Sequence, residues 1–247
     1  MIGPAWGVPS LAFKIAQTLR IDMTTRSTPR PKTPAAPRRK PGVREQSALD
    51  TQDNILRAAT QIFAKHGYSG GRVDQISKAA KSHDRMIYYY FGSKEGLYIA
   101  VLEGIYRRFN DAEARLKLDV GQPEAALVAV VDFMWDYYQR TPEFITLLND
   151  ENLHRGTHIG KSLRARDYSS PAIGILEAIL ASGVEQSVFR PGLSARDVYL
   201  TIAGLNYFYL SNRFTLSAFL GEKLDSKEAL THWRQVVVDT VLRAVRL

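Results

Sequence analysis

From Thr51 onward apolar residues recur with a helical period. Ile55, Ala58, Ala59, Ile62 and Phe63 fall at i, i+3, i+4, i+7 and i+8, the stripe of an amphipathic helix that Asp50 or Thr51 can cap and Gly67 can end. A second short helix is predicted over Val73 to Ala80, with Val73, Ile76, Ala79 and Ala80 turned inward. The turn Lys81-Ser82-His83 separates it from a third, about Asp84 to Tyr90. Gly92 stops that helix, and Ser93 caps a longer one from Lys94 to about Leu118. Two short helices joined by a tight turn behind a supporting helix have the layout of a helix-turn-helix.

The pattern stays helical to the end of the chain. Pro123 sits at N1 of a helix to Arg140, with Leu127, Val130, Val131, Met134, Trp135 and Tyr138 on one face. Thr141-Pro142 ends it and begins another, Glu143 to about His154. Ser170-Pro171 opens a segment to Gly183, Ser194-Ala-Arg-Asp197 a long helix through Phe214, and Asp225-Ser-Lys-Glu228 the last, to Arg246. Strand alternation is not sustained anywhere, so the expected class is all-α: a three-helix helix-turn-helix module, residues 47–94, followed by a helical body, residues 95–247. The last two helices are apolar over wide arcs, the first through Tyr199, Ile202, Leu205, Tyr207, Phe208, Leu210 and Phe214. This predicts a homodimer built on them.

Charge divides the chain unevenly. Residues 1–46 hold nine Lys/Arg against two acids, +7 of a total of +8. Residues 24–46 carry Pro29, Pro31, Pro34, Pro37 and Pro41 without apolar periodicity, so 1–46 is expected to be a disordered basic tail: a solvated arm, or one that adds phosphate contacts. The mildly apolar run Ala5–Ala16 is broken by Pro9 and Lys14 and lacks a basic n-region before it. It makes a poor signal peptide, and Met23 is the expected true start. No apolar run reaches the roughly 18 residues of a membrane span, so no membrane is expected as partner and the cytoplasm is the expected location. The chain has no cysteine, which removes thiolate metal sites and cysteine nucleophiles.

The stretches Thr51-Gln-Asp-Asn-Ile-Leu-Arg-Ala-Ala-Thr-Gln-Ile-Phe-Ala-Lys-His-Gly-Tyr, Val73-Asp-Gln-Ile-Ser-Lys-Ala-Ala and Ile87-Tyr-Tyr-Tyr-Phe-Gly-Ser-Lys-Glu-Gly-Leu resemble, with their spacing and without gaps, the DNA-binding module of TetR-type transcriptional regulators. The resemblance implies a dimeric repressor of a double-stranded operator, released by a small-molecule effector, with residues 95–247 as its helical ligand-binding and dimerisation domain. The Leu97-Tyr-Ile-Ala-Val-Leu segment and the body length are similar to the family's pyrimidine-responsive subgroup, which suggests a heterocyclic or aromatic acid from catabolism. The family's turn usually reads Gly, apolar, Ser, where this chain has Lys81, Ser82 and His83, and Arg72 stands where a hydroxyl residue usually caps the second helix and touches phosphate.

The DNA-binding residues expected from this layout are Arg72, Ser82, His83, Arg85, Tyr89 and Lys94. Arg85 is the candidate base reader, because a guanidinium pairs bidentately with guanine. Lys94, at a helix N-terminus, is a candidate phosphate contact, and the resemblance assigns Tyr89 one as well. Tyr88 is expected to turn inward, Phe91 to be core, and Asp84 to cap its helix or pair with a base. For the effector, Trp135, Tyr138, Glu151, Asn152, His154, Arg155 and Tyr168 are the candidates, as a pocket of apolar walls with a few polar groups requires. The rival from another class is an all-α hydrolytic or metal-dependent enzyme using His154, His158 and Glu151. No nucleophile motif, phosphate loop or firm metal motif supports it, and no cofactor is implied.

Overall fold

The computed structural model describes residues 42–164 and 172–247. The expected tail up to Pro41 and the candidate Tyr168 lie outside the described residues. Nine α-helices follow in order among those described: α1 (Val43–Gly70), α2 (Val73–Ala79), α3 (Asp84–Phe91), α4 (Lys94–Glu113), α5 (Pro123–Arg140), α6 (Pro142–Leu153), α7 (Ala172–Glu185), α8 (Ala195–Leu220) and α9 (Lys227–Val245). The only extended pairing among them is an isolated antiparallel bridge between Phe189 and Arg246. No described helix is long and apolar enough to cross a membrane.

The first helix begins earlier than its apolar stripe. After Pro41-Gly42 nothing in residues 43–50 breaks a helix, and the turn closes through Gln46 N–H on the Gly42 carbonyl at 2.9 Å. Gln46 Nε2 then donates to Asp50 Oδ1 at 2.9 Å. Thr51, an expected cap, instead donates its hydroxyl to the Ser47 carbonyl at 2.8 Å and so lies inside the helix. The expected boundary near residue 46 therefore moves back to Gly42. Gly67 does end the regular helix: its φ of 68° lies in the left-handed region, open to glycine at little cost, and it turns Tyr68–Gly70 out of line.

The other boundaries follow local chemistry. The Ser93, Ser194 and Ser226 hydroxyls accept the N–H of Gly96, Asp197 and Ala229 at the starts of α4, α8 and α9. Helix α4 stops at Glu113 rather than Leu118, tightening through Leu116 N–H on the Glu113 carbonyl. Helix α8 runs on past Phe214 until Gly221, at φ 70°, closes it on the Ser217 carbonyl.

Two packing regions share one core. Ile55, Phe63, Ile76, Ile87, Leu97 and Tyr98 are fully sealed where α1–α4 meet. Leu127, Met134, Trp135, Ile202, Val237 and Val241 are sealed or nearly so among α5, α8 and α9. Helix α6 touches both regions, packing on α1 and on α8.

Candidate nucleic-acid interface and body cavity

The turn between α2 and α3 is built without glycine. Lys81 takes φ 51°, the left-handed conformation that a glycine would supply at lower cost. Ser82 N–H then returns to the Ser77 carbonyl at 2.9 Å. The nearly buried Ser77 hydroxyl donates across the turn to the Asp84 carboxylate, tying α2 to α3. Asp84 thus neither caps its helix nor pairs with a base: His83 holds the N-cap position, without a side-chain cap.

Helix α3 buries Ile87 completely and half-buries Met86, Tyr90 and Phe91. Phe91, expected in the core, packs against its edge. Tyr88, expected inward, is 52% exposed, and Tyr89 is 78% exposed. Helical geometry explains the correction. Each residue turns about 100°, so once Ile87 points to the core, the next two positions must swing to the outside. Arg85 on this helix and His83 at its N-cap are also exposed, Ser82 is half-covered, and Arg72 stands outside the start of α2.

Two of the expected contact residues are engaged by neighbours. Arg72 lies in a bidentate pair with Asp74, both bonds 3.0 Å, which holds the Asp74 carboxyl below its usual range. Lys94 places its ammonium 4.8 Å from the centre of the Tyr68 ring and 3.4 Å from the Ser69 carbonyl. Partial burial there lowers its proton affinity.

The expected effector residues separate into two places. Trp135 and Tyr138 are buried in the body. Trp135 lies 6.0 Å from Tyr209, whose ring stacks on Trp233 at 4.8 Å. Tyr138 borders a cavity of about 360 Å³ that also meets Ile145, Asn149, Ser211, Arg213 and Leu230. Burial pushes the Tyr138 hydroxyl far up from its ordinary proton affinity, with Tyr199, Glu113, Tyr106 and Tyr207 close enough to add to the effect. In α8, Asn206 is fully buried, and neither polar atom of its side-chain amide has a hydrogen-bond partner.

Glu151, His154 and His158 lie instead where α6 meets α1 and α4. Glu151 Oε2 faces His158 Nδ1 at 2.8 Å, and His154 Nδ1 faces its own helix's Asp150 carbonyl at 2.7 Å. The His154 and His158 rings lie 5.2 Å apart, but no group of three acids or histidines among the described residues could hold a metal ion. Asn152 and Arg155 are exposed beside them, Arg155 at φ 57° in the turn that ends α6.

Rings from three elements and one carboxylate that the sequence does not single out, Asp150, complete this second place. Tyr68, Tyr98 and His158 form a ring cluster with centroids 4.3 to 5.0 Å apart. Asp150 accepts from Tyr68 N–H at 2.8 Å and from the Tyr98 hydroxyl at 2.7 Å. These partners lie 82 and 52 residues from Asp150, beyond the reach of any periodicity.

A helix-turn-helix unit with an outward basic and phenolic face, joined to a helical body with a cavity beside Tyr138, defines a DNA-binding regulator. Residues 55–101 match the family model of bacterial regulatory proteins, tetR family, and residues 123–241 match that of the tetracyclin repressor-like C-terminal domain. The chain belongs to the tetR family of bacterial regulatory proteins. It is 53% identical over 208 residues to the HTH-type transcriptional repressor NicS of Pseudomonas putida, covering 84% of this chain and 98% of that protein. The HTH-type transcriptional repressor SCO4008 of Streptomyces coelicolor is 28% identical, over 64% of this chain and 77% of that one. The fold is shared with the putative transcriptional regulator SCO4942 of Streptomyces coelicolor, at TM-score 0.58 and 22% identity over 79% of this chain and 98% of that one. It is also shared with the fatty acid degradation regulator FadR of Bacillus halodurans, at TM-score 0.57 and 24% identity over 83% of this chain and 97% of that one.

Proposed function

We propose that the protein is a homodimeric repressor that binds a two-fold operator and leaves it when a small planar heterocyclic or aromatic acid enters the body. The outward surface of α3 carries this reading: His83, Arg85, Tyr88 and Tyr89 are exposed together on a helix fixed from behind by Ile87. Arg85, in its first turn, is assigned to a guanine edge. Ser82 and His83 face the groove, and Tyr89, Lys94 and Arg72 take phosphates. On meeting DNA, Arg72 gives up or shares Asp74, and Lys94 swings off Tyr68.

The dimer forms on the outer face of α8, where Leu200, Phe208 and Phe214 are each more than half exposed. The adjoining surface of α9 offers Thr231, His232, Gln235 and Asp239 as a polar rim. The effector enters the cavity beside Tyr138. Its apolar walls, the Asn149 and Ser211 side chains, and the charges of Arg213 and Asp225 suit a small ring bearing donors and acceptors. The cytoplasm is the location such a repressor requires. The 53% identity with a protein named as a repressor supports repression rather than activation, and a regulator over the enzyme reading.

Footprinting of the purified protein on the DNA upstream of its own gene, with a panel of aromatic and heterocyclic acids added, tests this. A two-fold protected site that one class of acid abolishes is the expected result. Binding that no acid changes would remove the effector, and absence of any salt-dependent DNA binding would remove the regulator.

A further inference from the structure

Three consecutive residues of α6 point to three different parts of the molecule. Asn149 borders the body cavity, where its amide oxygen accepts from the Tyr207 hydroxyl and its Nδ2 donates to Ser211 Oγ at 3.1 Å. Asp150 reaches α1 and α4, and Glu151 holds the turn after α6 through the main-chain N–H of His158 and Ile159, at 2.8 and 2.9 Å. A main-chain shift at one of the three moves the other two, since they share one rigid helical turn.

We propose that Asp150 is a positioning residue, a clasp that sets the angle of the DNA-binding unit on the body. One carboxylate oxygen, Oδ2, binds both units of the module's rear wall: the Tyr68 N–H, freed because Gly67 leaves the helix, and the Tyr98 hydroxyl on α4. The site is closely fitted, for a Cβ at Gly67 would lie 2.6 Å from Asp150 Oδ1. Burial, followed by this hydrogen bond, raises the Tyr98 hydroxyl's proton affinity, so the phenol stays the donor. The polar groups around Asp150 are Tyr68 from α1, Tyr98 from α4 and His154 from its own helix, whose Nδ1 is 3.9 Å from Oδ1.

The clasp does not hold alone. The turn after α6 is tied to α4 by Lys161 Nζ on Glu95 Oε1 and the Ser162 hydroxyl on Glu103 Oε1, each 2.5 Å. Those two bonds fasten the turn, whereas Asp150 is the link that grips the broken end of α1 itself. Its consequence for regulation rests on the reading above: a molecule that displaces Asn149 in the cavity would displace Asp150 next to it, and with it the angle of the module.

The absence of cysteine from the chain allows a clean test. Cysteines introduced at two exposed positions, Lys78→Cys on α2 and Ala125→Cys on α5, carry spin labels, and labelled protein is diluted in excess unlabelled protein so that the distance within one chain is read. No DNA or ligand is present, so the outcome is independent of the footprinting result. Asp150→Ala is expected to shift the distance distribution and broaden it about twofold, as a two-state element released from its latch does. Asp150→Asn, whose amide oxygen can take the place of Oδ2, is expected to restore the original distribution. Tyr98→Phe, which removes one bond and keeps the ring packing, should fall between and serves if the alanine variant fails to fold. A distribution unchanged in both Asp150→Ala and Tyr98→Phe, or in Tyr98→Phe alone should Asp150→Ala not fold, would overturn the proposal.

Discussion

His158 Nδ1 lies 2.8 Å from Glu151 Oε2, and the two side chains are only 7% and 4% exposed. The remaining oxygen of Glu151 accepts two main-chain N–H groups. A carboxylate at the end of α6 thereby satisfies a whole turn that packs on Tyr68 and Tyr98. Removing it leaves buried donors without partners, so Glu151→Ala should lower stability by about 3 kcal/mol in equilibrium urea unfolding. Glu151→Gln, whose amide oxygen still serves the two N–H groups, should lose clearly less; equal losses would show that those two bonds contribute little.

The left-handed Lys81 gives a gain rather than a loss. Lys81→Gly relieves a side chain held at φ 51°, at the cost of a more flexible unfolded chain. A net stabilisation of up to about 1 kcal/mol is expected, read as a higher urea midpoint with an unchanged slope. A lower midpoint would mean that the Lys81 side chain makes a stabilising contact.

Arg85→Ala should cost ~1–3 kcal/mol on the specific operator and relax preference at one base pair. Competition binding with single-base operator variants measures this. An equal loss on random DNA would reassign Arg85 to a phosphate.

The basic segment ahead of α1 contributes charge without a helical pattern. Deleting residues 1–40, which carry eight Lys/Arg against Asp22, should leave the helical content intact. It should weaken DNA binding mainly at low salt and flatten the salt dependence. Salt titrations of both forms decide it, and parallel slopes would show that the segment stays solvated in the complex.

Phe208 is 57% exposed in the middle of the apolar face of α8. Phe208→Glu places a charge at the centre of the proposed interface and should convert the protein to monomers in sedimentation, with operator affinity falling because the half-sites are no longer linked. A variant that sediments as the unaltered dimer would move the interface off this face.

What the sequence determined by itself is the local part. Helix α5 runs from Pro123 to Arg140 as its pattern predicts, and Ser93, Ser194 and Gly92 stand at the helix ends they were expected to mark. A cap, a stop or a hydrophobic stripe is read within about four residues, the range of a helical hydrogen bond. The all-α class follows from the same periodicity, whereas the outward place of Tyr89 is implied by the family resemblance and that of Arg85 by the helix-turn-helix layout. Tyr88 shows its limit: which of two adjacent rings turns inward depends on the register that burying Ile87 imposes on the whole of α3. The candidate effector residues show it more sharply. Trp135 and Tyr138 lie on α5, next in sequence to the helix of Glu151, yet α6 carries Glu151 and His154 to the rear of the DNA-binding unit. Asp150 had no signal at all, since its partners are an N–H released by the break at Gly67 and a hydroxyl on another helix. Only tertiary packing decides such pairings, because α6 brings a carboxylate to two donors 82 and 52 residues away, and no local pattern encodes that approach.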